Sequence, residues 1–174
     1  MKRIISLTFL LLLSHVLLAQ WVIKEGYQIS FDGKGAEGTF KELQGAINFN
    51  PADLSTAKFQ VQINAATIET GNDLKNQHAR GDKWLNAKAY PTVWFKSTGV
   101  EKTDRGYQLV GNLELHGIKK EIVIPFTFTE TTYGGLFKGA FSVEREAFGI
   151  MGPFFSFMVG DEFKVDLEVP VSKK

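Results

Sequence analysis

Apolar and polar residues alternate along most of this chain, and the alternation pauses at length only once. The clearest run is Lys58 to Ala65. Phe59, Val61, Ile63 and Ala65 face one way, while Lys58, Gln60, Gln62 and Asn64 face the other. That period of two marks a strand with one buried face. Upstream, Trp21 to Gly35 reads as strand, turn, strand, with Tyr27, Ile29 and Phe31 on one side. Thr39 to Phe49 follows with Phe40, Leu43, Ile47 and Phe49, and with Gly45 as a candidate bend. Downstream, Val93 and Phe95 share a face opposite Trp94, and Thr103-Asp104-Arg105-Gly106 is a hairpin turn. Tyr107, Leu109, Gly111, Leu113 and Leu115 alternate next, then Ile122, Ile124, Phe126 and Phe128, with Pro125 marking an edge or bulge. After Gly134-Gly135 come Phe137, Gly139, Phe141 and Val143, and finally Phe163, Val165, Leu167 and Val169. About eight such strands joined by short turns predict an all-β fold, an antiparallel up-and-down sheet curled into a barrel without exposed edges.

The pause runs from Thr67 to Ser97. It is polar, compatible with a helix, and returns to strand through Tyr90-Pro91. One such insert in a barrel suggests a lid. An eight-stranded barrel is either plugged by its own side chains or holds one small ligand, and a period-two pattern looks the same in both cases. The loop from Phe148 to Met158 favours a mouth. Phe148, Met151, Phe154, Phe155, Phe157 and Met158 are more apolar groups than an exposed loop needs unless they pack on a lid or rim an opening.

Composition narrows the picture. The chain has 174 residues and 15 Phe, of which only Phe9 precedes residue 20, so one domain has much aromatic area to bury. Lys2-Arg3, the apolar run Ile4 to Leu18 and Ala19 predict a cleaved signal peptide over residues 1–19, leaving a domain at 20–174. The expected location is periplasmic or secreted, with no stable membrane anchor after processing. There is no Cys, hence no disulfide, thiol nucleophile or lipidated cysteine. Without Lys2 and Arg3 the chain carries 18 basic and 19 acidic residues, and no dense Lys/Arg block argues for nucleic acid.

Candidate chemistry is sparse. Only His78 and His116 follow the leader, neither at a metal-ligand spacing, and no cofactor motif is present. His116 reads as a surface turn residue, and His78 as either a solvated helix position or a polar contact at a pocket mouth. Glu144 and Glu146 flank Arg145, but Lys138 and Ser142 mark that face as exterior, so ionic decoration is favoured over paired catalytic carboxylates. Nothing assembles a nucleophile, base and orienting group, and the chain is not expected to be an enzyme.

Several segments together resemble the YceI-like family. Gly38-Thr39-Phe40 with Gly45-Ala46-Ile47-Asn48-Phe49 is similar to its G-x-F and G-x-I-x-F pieces, and Ile68-Glu69-Thr70-Gly71 to its S-I-x-T segment. Tyr90-Pro91-Thr92-Val93-Trp94-Phe95-Lys96-Ser97 resembles Y-P-x-I-x-F-x-S. Gly111-Asn112-Leu113 through Lys120, Arg145 with Phe148-Gly149-Ile150, and Gly160-Asp161-Glu162 complete the order over Trp21 to Val171. The departures are Tyr27-Gln28 for His-Ser, Lys75-Asn76-Gln77-His78-Ala79 for R-D-x-H-L, and Lys83-Trp84-Leu85 for D-F-F. The resemblance implies an exported, lipocalin-like barrel that binds an apolar lipid, a polyisoprenoid or isoprenoid quinone, without a cofactor.

On that reading the expected lining is Phe31, Phe49, Phe59, Val61, Ile63, Phe95, Leu113, Leu115, Phe126, Phe128 and Phe141. Trp84, Leu85 and Phe155 would close the mouth, and Asn76, His78 and Arg145 are candidates for the ligand's polar end. A homodimer is compatible with the sequence. Two rivals remain: a solid-core barrel acting as a stress-response or protein-interaction module through an outer patch at Trp94, and an enzyme on a lipid head group with His78 and Arg145 converging.

Overall fold

A computed structural model describes residues 21–153 and 156–174. The predicted leader and Phe155 lie outside the described residues. The strands are β1 (Trp21–Ile23), β2 (Gln28–Gly33), β3 (Ala36–Phe40), β4 (Gln44–Asn48), β5 (Lys58–Asn64), β6 (Thr92–Thr103), β7 (Gly106–Leu115), β8 (Ile118–Glu130), β9 (Gly134–Glu144) and β10 (Glu162–Lys173). They hydrogen-bond in the order β1-β4-β5-β6-β7-β8-β9-β10-β2-β3, and β1 also pairs with β10, which closes the sheet into an antiparallel barrel.

The ten segments make eight staves, because β1 and β2 run consecutively along β10, with Ile23 opposite Val171 and Gln28 opposite Glu168. Likewise β3 pairs with β2, and β4 with β5, as halves of one bent strand. The bend falls at Lys41 to Leu43, where Glu42 has φ +61°, and Gly45 lies so close to β5 that a Cβ would strike the backbone of Gln60. The alternation expected from sequence is kept: Phe137, Gly139, Phe141 and Val143 face inward, whereas Lys138 and Ser142 are exposed and Lys138 pairs with Glu168 at 2.7 Å.

The barrel has two unlike ends. One carries the β4–β5 connection and the tight β6–β7 and β8–β9 turns. The other carries the β2–β3 turn, the β5–β6 insert, the β7–β8 turn and the long β9–β10 loop. The insert contains a single helix, α1 (Asp73–Arg80). Asn72 caps it, its Oδ1 accepting from the Lys75 N–H at 3.0 Å. Asp73 in the first turn and His78 and Arg80 in the last complement the helix dipole. So short a helix does not hold itself in water, and its attachment to the barrel is polar. Before α1, the backbones of Thr39 and Glu69 exchange hydrogen bonds of 2.8 and 2.9 Å, which extends the sheet along the free edge of β3.

Candidate ligand-binding cavity

The interior is hollow toward the insert and solid toward the opposite end. The cavity, open at the insert end, measures about 780 Å³, within the range of small-molecule sites. Its wall is built from the inward positions of nearly every stave, among them Ile29 and Phe31 on β2, Val61 and Ile63 on β5, Phe95 on β6, Leu113 and Leu115 on β7, Phe141 and Val143 on β9, and Val165 and Leu167 on β10. Rings lie flat where the neighbouring strand has no side chain. A Cβ on Gly111 would sit 2.5 Å from Cζ of Phe95, and one on Gly38 would sit 2.8 Å from Cζ of Phe31. Those two glycines let bulky rings cover backbone instead of filling the lumen.

The floor is aromatic. Phe59, Phe126 and Phe137 line the bottom of the cavity, and behind them Phe49 is fully buried. The Phe49 ring meets Phe59, Tyr107, Phe126, Phe128 and Phe137 at centroid distances of 5.1–6.0 Å, mostly edge to face, the geometry aromatic quadrupoles prefer. Its carbonyl accepts a 2.8 Å hydrogen bond from Trp21 Nε1, and Trp21 in turn packs on Phe128. Two residues expected on the lining, Phe49 and Phe128, are therefore plug residues behind the floor. Phe31, Phe59, Val61, Ile63, Phe95, Leu113, Leu115, Phe126 and Phe141 are on the wall or floor as the strand phases required.

At the mouth, Trp84 and Leu85 from the insert and Ile150 and Val159 from the β9–β10 loop line the opening. The loop's apolar residues divide. Phe148 and Ile150 are buried, while Met151, Phe157 and Met158 stand exposed. Arg145 organises this loop. It is 6 % exposed, and its guanidinium donates to the carbonyls of Gly160 (2.9 Å), Val159 (3.3 Å) and Ile150 and to Glu146 Oε1 (3.1 Å). It also lies 5.5 Å from the Trp84 ring centre, where cation–π attraction links loop to insert. Although Arg145 touches the cavity, its donors are committed to the loop. Glu146 opens a 3₁₀ turn rather than extending β9, so it does not share a strand face with Glu144.

Asn76 is likewise committed. It is 2 % exposed, and its Oδ1 accepts from the Thr70 N–H (2.7 Å) and hydroxyl (2.8 Å), while its Nδ2 donates to Glu69 Oε1 (2.8 Å). It does not line the cavity. The Asn76 amide, and next the Gly71 N–H, hold the Glu69 carboxyl below the usual glutamate range. Arg80 donates to the Ile68 carbonyl at 3.1 Å. These bonds latch α1 to the wall. Lys75 and His78, three residues apart on one face of α1, do reach the cavity mouth and are exposed there. Lys75 was not singled out by the sequence. His116 is half-buried rather than a free surface residue. It has φ +53°, its Nδ1 lies 3.2 Å from the Phe148 carbonyl and its ring is 4.6 Å from that of Tyr90. Among the described residues no cluster of three or more His, Asp or Glu could hold a metal ion.

A YceI-like domain model matches residues 21–171. A UPF0312 protein of Pseudomonas savastanoi pv. phaseolicola is 32% identical over 161 residues, covering 84% of this chain and 84% of its own. Among solved structures, BcnA of Burkholderia cenocepacia superposes with a TM-score of 0.79 at 24% identity, over 84% of this chain and 96% of that one. A domain from Saccharophagus degradans, described as a polyisoprenoid binding domain implicated in plant cell wall breakdown, superposes with a TM-score of 0.69 at 13% identity. That match spans 90% of this chain and all of the other. At these identities the two structures establish a shared barrel.

Proposed function

This chain belongs to the YceI-like family, and from that premise we propose that it binds and carries a long apolar lipid, a polyisoprenoid or isoprenoid quinone, inside the barrel. The observation that carries the reading is the hollow itself: about 780 Å³ lined mostly by apolar side chains, closed below by aromatic rings and opening beside a latched insert. A domain of the same fold described as polyisoprenoid binding supports it.

The mechanism is burial. Each CH₂ removed from water contributes about 0.8 kcal/mol, so roughly twenty such groups outweigh an association cost of about 4–15 kcal/mol. The tail occupies the space above Phe59, Phe126 and Phe137, and the polar end emerges at the mouth near His78 and Lys75. Asn76 and Arg145 hold the lid and the loop instead of the ligand. Ligand enters and leaves between Trp84-Leu85 and the β9–β10 loop. The protein binds and releases its lipid unchanged, and it works outside the cytoplasm after loss of residues 1–19.

The test is to purify the protein from its own host, extract it with organic solvent and identify the extract by mass spectrometry. A stoichiometric isoprenoid is expected. A protein that is empty on isolation, and that takes up no isoprenoid when offered one, refutes the proposal. Cell fractionation with N-terminal sequencing checks the location, since a cytoplasmic chain retaining Met1 to Ala19 contradicts it.

A further inference from the structure

We propose that the barrel measures the tail it carries: its aromatic floor limits the buried chain to about five isoprene units, and Leu109 and Phe137 set that limit. The inference rests on the lipid-carrier reading and adds the length of ligand the site selects.

A tunnel open at both ends would not discriminate by length, whereas a blind one does. Ile47, Phe59, Leu109, Phe126, Phe137 and Val169 form the last ring of side chains on the cavity, each no more than 9 % exposed. Behind them Phe49 and Phe128 pack on one another and against the back of Phe137, at 4.4–5.5 Å between centroids. Trp21 closes the remaining space and is fixed by its bond to the Phe49 carbonyl. Interiors packed in this way have few voids even of water size, so a chain end that reaches Phe137 has nowhere to continue. The floor is also rigid, since its rings come from β5, β7, β8, β9 and the β4–β5 connection, which cannot shift independently.

The volume sets the length. If each carbon group takes about the share of volume a water molecule does, about 30 Å³, then 780 Å³ holds roughly 26 groups, about five isoprene units. Each unit up to the fifth exchanges water for apolar wall and raises affinity more than tenfold. Units beyond it remain at the mouth and add little. Leu109 and Phe137 are the positions at which the limit moves, because both lie on the floor and neither belongs to the latches of the lid or the loop.

The experiment uses the whole mature protein and prenols of 10 to 40 carbons, displacing bound 1-N-phenylnaphthylamine. In the wild type, affinity should climb more than tenfold per unit to 25 carbons, then level off. Leu109→Phe raises the floor and should bring the 25-carbon prenol down toward the 20-carbon one. Phe137→Leu lowers the floor and should make the 30-carbon prenol bind severalfold tighter than the 25-carbon one. Thermal melts identify which variants are folded; either shift suffices as support, and the wild-type break stands independently of both. Affinity that rises steadily through 40 carbons, or a break that moves in none of the folded variants, overturns the length limit and leaves the carrier reading intact. If no prenol displaces the probe, both fail together.

Discussion

The two ends of this barrel are made from different interactions. At the closed end Trp21, Phe49, Phe59, Tyr107, Phe126, Phe128 and Phe137 stack ring on ring, and the Trp21–Phe49 hydrogen bond is the polar exception. At the open end the insert and the β9–β10 loop are secured by side chains bonded to nearby backbone, through Asn76, Glu69 and Arg145. Packed rings lose stability when any one shrinks, because the cavity left behind cannot collapse. Hydrogen-bonded latches compete with water and give way locally while the rest of the fold persists. One end is suited to remain shut and the other to open, which is what a blind binding site needs.

Substitutions at the two ends should therefore behave differently. The largest effect is expected from Phe49→Ala, which removes the ring at the centre of the plug. It should destabilise the whole barrel by about 3–5 kcal/mol, read as a single cooperative transition in denaturant. A small or purely local loss would show that the closed end is not the stability centre. Next, Arg145→Met leaves the carbonyls of Gly160, Val159 and Ile150 without their charged donor. The expected cost is about 2–3 kcal/mol, with protease cleavage appearing between residues 146 and 161 while the strand amides stay protected.

Asn76→Ala should cost about 1–2 kcal/mol and raise hydrogen exchange from Ile68 to Arg80. Equal exposure across β7 and β8 would contradict a local latch. The smallest effect concerns acid. A carboxyl held below its ordinary range contributes stability that is present at neutral pH and lost as pH falls through its lowered folded-state value. The insert should thus loosen below the usual glutamate range, seen as a change in tryptophan emission that a Trp84→Phe variant lacks. Glu69→Gln should remove most of that acid step, and a step that survives the substitution would assign it to another group.

Sequence made the walls legible and the ends less so. Phe59 and Phe95 sit in alternating runs whose polar partners, Gln60 and Lys96, declare which face is out, and both rings lie inward. Phe49 keeps the same spacing from Ile47, yet it falls one residue past the end of β4, where the chain turns beneath the barrel. Period alone does not reveal where a strand stops, so wall and plug look identical in the pattern. Ile29, Leu109 and Phe137 carried the same inward signal, and their place on the cavity was recoverable from it. Asn76 and Arg145 show the opposite problem. A polar residue near a mouth suggests ligand chemistry, but their partners are loop carbonyls, a hydroxyl and a neighbouring carboxylate, available only once the loops are folded. Lys75 differs from an ordinary surface lysine only in facing the opening, which depends on how α1 is docked.

The pairing of β1 with β10 sets the order in which this protein can become itself. Ile23 meets Val171 and Trp21 meets Lys173, so the seam joins the first described strand to the last. Hairpins such as β6–β7 join neighbours in sequence, whereas the seam must bring Trp21 to Lys173. Bringing together residues so distant in sequence is the slow part of folding a β-protein. Until it happens, Trp21 cannot reach the Phe49 carbonyl, and the floor lacks its backing. The barrel is closed below only once β10 has docked on β1, so a place for a lipid exists only in the fully closed sheet.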